Sequence, residues 1–272
     1  MHPLLFEISL GSWGILEVPA FGALLALAFG VGLLLTVRAA ARAGVDRELA
    51  LGAGLVALFA GVLGARAGFV ILHARELASF SEALSLRNGG LSGSTGLLAG
   101  AVALAFEARR RRVSWRLLFD CAAPALGIGV VLTRLGCWLE GCDFGRRLPR
   151  AAPSWLTGLG TFPRGSPAFV EQVVANGLDP GASRALPVHP SELYECVAVL
   201  GVVAAALLFR RRARSAGVTA LAILSLYAAL RVAVDFTRVA SADVWCARAV
   251  FALALIPWWL RLPWRPASAP NR

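Results

Sequence analysis

Residues 19–37 read PAFGALLALAFGVGLLLTV, a stretch of nineteen residues without one charged side chain. A helix rises about 1.5 Å per residue, so a run of this length nearly crosses a hydrocarbon core of about 30 Å. The run does not alternate apolar with polar, as a lipid-facing barrel strand would, so it reads as a transmembrane helix. Comparable runs lie at 50–72, 91–106, 117–138, 190–209, 217–236 and 244–260. Seven spans are therefore expected, all helical, because backbone polar groups in lipid must be satisfied within the segment. The third run is short and Gly-rich, which leaves a re-entrant or broken start open to it.

Composition agrees. The chain has 272 residues, of which 58% are hydrophobic and 16% charged, with a mean hydropathy of +0.69. These values exclude a disordered chain, a coiled coil and an ordinary soluble enzyme. The fold class is an all-α integral membrane protein, one polytopic domain over residues 1–272 with a long external loop at about 140–188. That loop carries Pro149, Pro153, Pro163, Pro167, Pro180 and Pro187, and its length marks it as functional. Glu7 and Glu17 precede the first run without a basic region, unlike a cleaved signal peptide, so the first span is expected to remain in the mature protein.

The formal charge of +11 comes entirely from Arg, since the sequence has no Lys. The Arg residues cluster between apolar runs, which is a topology pattern and not a nucleic-acid footprint. With the N-terminus outside, fifteen Arg fall on inside segments, among them Arg109 to Arg112 and Arg210 to Arg212, and eight fall outside. The expected orientation is N-terminus out and C-terminus in. Basic segments beside the spans would also hold anionic lipid head groups.

Four Arg fall within the spans: Arg66, Arg134, Arg231 and Arg248. A charge at bilayer depth costs about 2.5 to 3.5 kcal/mol, so each requires a partner, a watery cavity or an escape to the interface. Arg248 is expected to snorkel. Arg66 sits in Gly64-Ala65-Arg66-Ala67-Gly68, whose small residues admit a neighbouring helix, and it suits a structural ion pair or a ligand contact. Arg134 lies near Glu140 and Asp143. Tyr227, Arg231 and Asp235 are spaced at i, i+4 and i+8, which puts a phenol, a guanidinium and a carboxylate on one helix face. A structural Arg–Asp pair accounts for part of this pattern. Two guanidinium forks at outer-leaflet depth also match a phosphodiester, which points to a lipid phosphate.

His189-Pro190-Ser191-Glu192-Leu193-Tyr194-Glu195 closes the long loop and opens the fifth run. Pro at the first helical position and Glu in the first turn are features of a helix N-terminus. Capping leaves the gathering of His, Glu, Tyr and Glu at a membrane boundary unexplained, and such groups there indicate a functional site.

At these residues the chain resembles the bacterial prolipoprotein diacylglyceryl transferases. HPSELYE is similar to that family's HPSQLYE block, and Tyr227, Arg231 and Asp235 to its Y-x-x-x-R-x-x-x-E block. Gly64-Ala65-Arg66-Ala67-Gly68-Phe69 resembles G-x-R-x-G-Y. Arg134, Gly136, Gly141 and Gly145-Arg146 follow G-R-x-G-N-F-x-N-G-E-x-x-G-R. His2-Pro3, Phe21-Gly22 and Gly89-Gly90-Leu91-Ser92 also align, so the likeness covers nearly the whole chain in order.

The resemblance implies a multi-pass enzyme of the bacterial inner membrane. Its partners are phosphatidylglycerol and the signal peptide of a prolipoprotein, with no nucleic acid. It would move the diacylglyceryl group of the lipid onto a lipobox cysteine thiol, releasing glycerol 1-phosphate. Arg134, Arg231, His189 and Tyr227 are then the expected catalytic residues, with Arg66, Ser94, Glu140, Asp143, Gly145, Glu195 and Asp235 around the substrate. No cofactor or metal is expected.

Departures from the family cluster on the acceptor side. Ser94 in Ser92-Gly93-Ser94-Thr95-Gly96 stands where the family's S-F-H-G-G has His. Cys137 and Cys142 replace the Asn of G-N-F and the Glu of N-G-E. Ala20-Phe21 replaces an aromatic pair. His189 could take the thiol proton in place of that His, provided its motif folds over the Arg face. A bend at Gly141 would bring Cys137 and Cys142 together, either as a disulfide on an oxidising face or as buried thiols. Two rivals follow, a lipid-binding relative without chemistry and a small-solute transporter, the latter disfavoured by the lack of internal repeats.

Overall fold

A computed structural model of the chain describes residues 4–9, 15–74, 90–210 and 215–238. The described elements are β1 (Leu4–Ser9), β2 (Ile15–Pro19), α1 (Ala20–Arg42), α2 (Arg47–Leu72), α3 (Gly93–Arg110), α4 (Trp115–Glu140), α5 (Ser154–Leu159), α6 (Pro167–Asn176), α7 (Ser191–Arg210) and α8 (Val218–Asp235). Among the described residues, five helices are long and apolar enough to cross a membrane: α1, α2, α4, the Ser191–Leu208 part of α7, and α8. The span expected at 244–260, with Arg248, lies outside the described residues.

One departure from the all-helical expectation is at the start of the chain. β1 and β2 form an antiparallel hairpin in which Glu7 pairs with Glu17 and Ile8 with Leu16. The third run is a single helix, α3, whose eighteen residues include Glu107, Arg109 and Arg110; those charges keep it out of the group of five. Hydropathy ends α1 and α3 too early. Both continue to basic last turns at Arg42 and at Arg109 and Arg110, where cations favour the helix C-terminus.

The chain divides into two compact units, one of Gly32–Ala125 and one of Met1–Val31 with Leu126–Arg272. In the first, α2 and α3 pack through small residues. A Cβ on Gly68 would lie 2.1 Å from Thr95 Oγ1, one on Gly64 2.3 Å from Ala99 Cβ, and one on Gly96 2.9 Å from the Gly61 carbonyl oxygen. Backbones that approach this closely associate by van der Waals contact, the dominant attraction where lipid removes the hydrophobic driving force. Ala40, Ala50, Ala53, Leu104, Ala108 and Leu118 belong to the core of this unit. Outward-facing Phe59, Leu63, Ile71, Leu98, Val102 and Phe106 stay exposed, as side chains that contact lipid would.

In the second unit the expected long loop is a folded segment with a core of its own. Phe162, Ala168, Phe169, Ala185 and Val188 are buried together. Ser166 caps α6 by accepting from Phe169 N, with Pro167 in the first turn, and Gly177 ends it in the left-handed region at φ +66°. These are sequence-local stop and start signals. Buried Gln172 donates to the Leu186 carbonyl at 3.1 Å and accepts from Leu186 N at 2.7 Å, closing the loop on itself. The segment thereby holds Val188 and the residues after it where α7 begins.

Candidate functional site

Three stretches distant in sequence are joined by backbone hydrogen bonds in the second unit. Gly145 N donates to the His189 carbonyl at 2.8 Å, His189 N to the Arg146 carbonyl at 2.8 Å, and Arg146 N to the Thr237 carbonyl at 2.7 Å. The ends of α4 and α8 are thus tied to the start of α7. A Cβ on Gly145 would lie 2.5 Å from the Thr237 carbonyl oxygen and 2.7 Å from His189 Cβ. Gly145 therefore belongs to the site as a point of close backbone approach. Asp143 adopts φ +62°, a left-handed conformation that Asp tolerates better than most residues.

These ties bring four charged side chains together. Glu195 is fully buried, and a single oxygen, Oε2, faces Arg231 Nη1 at 2.5 Å, Arg134 Nε at 3.1 Å and Arg238 Nη2 at 3.6 Å. Its other oxygen accepts from the Tyr227 hydroxyl at 2.7 Å. Arg134 also pairs with Asp143, and Arg231 Nη2 lies 3.5 Å from Asp235 Oδ1. Arg238 Nε donates to Ser191 Oγ at 3.1 Å, and Ser191 Oγ donates to the Asp143 carbonyl at 2.9 Å. A buried carboxylate surrounded by guanidiniums holds them in place, and each guanidinium has five N–H donors, leaving others for a further acceptor.

The electrostatics outside the spans point the same way. Burial, and then the like charge of Arg231, pushes Arg238 below the usual guanidinium range despite Asp143. Burial opposes ionisation of Asp143, yet Arg134, Arg238 and Arg231 prevail and hold its carboxyl below the ordinary carboxylate range. Guanidiniums that crowd one another in this way favour an added anion.

Arg134, Arg231, Tyr227, Glu195, Asp235 and Asp143 thus meet in one cluster, of which helical spacing had placed Tyr227, Arg231 and Asp235 on one face. Arg238 is the member that the sequence does not single out, since it is one of the eight Arg expected on the outside. Its place seven residues after Arg231, just past the end of α8 at Asp235, was the available signal. Glu140, the last residue of α4, takes no part in the ion-pair cluster among the described residues and acts instead on Cys142. His189 packs edge-on to Tyr194 with Nδ1 3.2 Å from its hydroxyl, and burial lowers its imidazole below the usual range. Its described ring contacts are with Tyr194, not with the guanidiniums.

Two expected site residues lie in the other unit. Arg66 is buried, donates through Nη1 to the Gly90 carbonyl at 2.8 Å and stacks over Phe69 at 5.3 Å. Ser94 is exposed, with its hydroxyl 3.3 Å from that of Ser92.

Cys137 and Cys142 are free thiols in hydrogen-bond contact with each other, brought together by a turn at Gly141, φ +82°. That contact and burial raise the Cys142 thiol above its usual range. No group of His, Cys, Asp and Glu suited to a metal ion occurs among the described residues.

A family model described as prolipoprotein diacylglyceryl transferase matches residues 8–260. A phosphatidylglycerol–prolipoprotein diacylglyceryl transferase of Bordetella bronchiseptica is 32% identical over 181 residues, covering 65% of this chain and 60% of the relative. Proteins of the same name from Deinococcus radiodurans and Geobacter sulfurreducens are 28% identical over 220 residues and 29% over 250. These alignments cover 75% and 88% of this chain, and 62% and 82% of the relatives. The chain spans about 60% of the length of the Bordetella and Deinococcus relatives it matches.

Proposed function

The chain belongs to the prolipoprotein diacylglyceryl transferase family, and from that membership we propose that it transfers the diacylglyceryl group of phosphatidylglycerol to a prolipoprotein cysteine. The observation that carries the proposal is the convergence of Arg134, Arg231 and Arg238 on one buried oxygen of Glu195. In this reading the three guanidiniums take the lipid phosphate. Glu195, Asp235 and Asp143 hold their geometry, and the Tyr227 hydroxyl orients Glu195.

In this reading the acceptor thiol gives its proton to His189, and the thiolate attacks the glyceryl carbon bonded to the phosphate oxygen. A C–S bond forms as the C–O bond breaks, and its electron pair leaves on glycerol 1-phosphate. Donors already aimed at the phosphate stabilise the charge that grows there, which lowers the barrier without reorganisation at the moment of reaction. The purified chain, given phosphatidylglycerol and a lipobox peptide, is expected to yield a peptide heavier by one diacylglyceryl group. A wild type inactive on every lipobox peptide would overturn the transferase reading. Exposed Ser94 favours the second reading, a lipid-binding relative, and activity that appears only in Ser94→His would establish it.

The same proposal includes one polytopic domain over residues 1–272. Seven spans run from an outer N-terminus to an inner C-terminus in the bacterial inner membrane, with α3 and residues 244–260 completing the seven. The excess of Arg on the inside segments supports this orientation. A reporter active only in the cytoplasm should give signal when fused after Arg272 and none after Arg164. The opposite pattern would put the guanidinium cluster on the wrong face.

A further inference from the structure

Glu192 lies in the first turn of α7, beside Ser191, and is 0% exposed. Among the described residues, neither carboxyl oxygen has a hydrogen-bond partner beyond its own residue. Arg238 Nη2 is buried and also lacks a hydrogen bond among the described residues. Ser191 links their surroundings, since its hydroxyl accepts from Arg238 Nε and donates to the Asp143 carbonyl. Arg238 and Arg134 act on the Glu192 carboxyl attractively and Asp143 repulsively.

Buried polar groups are nearly always paired, because an unpaired one loses its hydration without compensation. A helix-dipole role accounts for Glu in the first turn but is satisfied at the surface and does not require full burial. A buried acceptor and a buried donor in one neighbourhood suit a group that can both donate and accept, which is a hydroxyl. The two oxygens of a carboxylate can take the two hydrogens of a vicinal diol. Arg238 also faces Glu195 Oε2, so the diol would adjoin the phosphate-binding guanidiniums, as the glycerol of a phosphatidylglycerol head group adjoins its phosphate.

We infer that Glu192 and Arg238 hold the hydroxyls of a glycerophosphoryl group, and that Glu192 selects a hydroxyl-bearing head group over phosphodiesters that lack one. The inference rests on the lipid-phosphate reading of the cluster. It assigns a role to the position at which HPSELYE differs from HPSQLYE: a carboxylate offers acceptors only, whereas an amide must turn one donor toward the ligand.

The test is lipid competition on the purified full-length chain, read by native mass spectrometry, with phosphatidylglycerol against phosphatidylpropanol of matched acyl chains. The two lipids share the phosphodiester charge and differ in the hydroxyls. Wild type is expected to prefer phosphatidylglycerol by about tenfold, the effect of one hydrogen bond to a charged group. Glu192→Leu is expected to bring the ratio to about one while phosphatidylpropanol occupancy persists, and Glu192→Gln to keep part of the preference. Displacement by soluble glycerol phosphate that depends on Glu192 would support the same contact made from the released product.

A wild type that binds both lipids equally overturns the inference and leaves the phosphate site standing, as does an unchanged ratio in Glu192→Leu. A preference for phosphatidylethanolamine also overturns it, since the carboxylate would then be pairing with an ammonium. A wild type that binds neither phosphodiester overturns the phosphate reading itself. Should Glu192→Leu fail to fold, the wild-type ratio and Glu192→Gln still decide.

Discussion

Glu195→Ala is expected to destabilise the detergent-purified chain by about 3 to 5 kcal/mol, the usual consequence of removing one partner from a buried ion pair. Three guanidiniums meet at the oxygen this substitution deletes, and none of them is more than a fifth exposed, so water cannot easily replace the carboxylate. Tyr227 loses its acceptor at the same time. Transfer activity is expected to disappear as well, because mutual repulsion would spread Arg134, Arg231 and Arg238. Glu140→Ala is the control. It removes a carboxylate from the same region that has no ion pair among the described residues, and its expected effect is within about 0.5 kcal/mol. Thermal unfolding followed by Trp fluorescence compares the two, and equal midpoints for Glu195→Ala and wild type would remove Glu195 as the organising charge.

Arg231→Lys is expected to weaken phosphatidylglycerol binding nearly as much as Arg231→Ala, by about a hundredfold in each case. Arg231 presents Nη1 to Glu195 and Nη2 toward Asp235, an arrangement that depends on a planar fork with separated donors. An ammonium is a compact point charge and cannot reproduce the two directions together. Arg164→Ala, at an exposed position between α5 and α6, should leave binding unchanged. Lipid occupancy by native mass spectrometry is the readout. Full occupancy in Arg231→Ala would end the head-group assignment, and full occupancy in Arg231→Lys alone would show that charge suffices.

Much of the site was legible because its residues repeat at helical spacing. Tyr227, Arg231 and Asp235 share a face by arithmetic alone, and Arg134 stood out through the cost of charge within an apolar run. Arg238 follows the same spacing but falls beyond the apolar window, so a hydropathy reading assigned it to the surface. The segment between α4 and α7 reads as a loop in the sequence because prolines dominate it. Its core depends on Phe162, Phe169 and Val188 meeting across more than a turn of chain, and no local periodicity announces that.

Sequence alone determined the membrane class and the positions of five apolar helices, and it singled out most of the charged residues of the candidate cluster. Each of these follows from a local quantity: the length of an uncharged run, the price of a buried charge, or a spacing of three or four residues. The tertiary structure decided which charges meet. Glu195 became the shared partner of three guanidiniums, and Glu192, three residues earlier, was left buried without a hydrogen-bond partner in another residue among those described. Two glutamates in one helical turn have the same local chemistry. Their different surroundings come from α4, α8 and the backbone ties through Gly145 and Arg146, contacts between segments far apart in the chain that no short window of sequence contains.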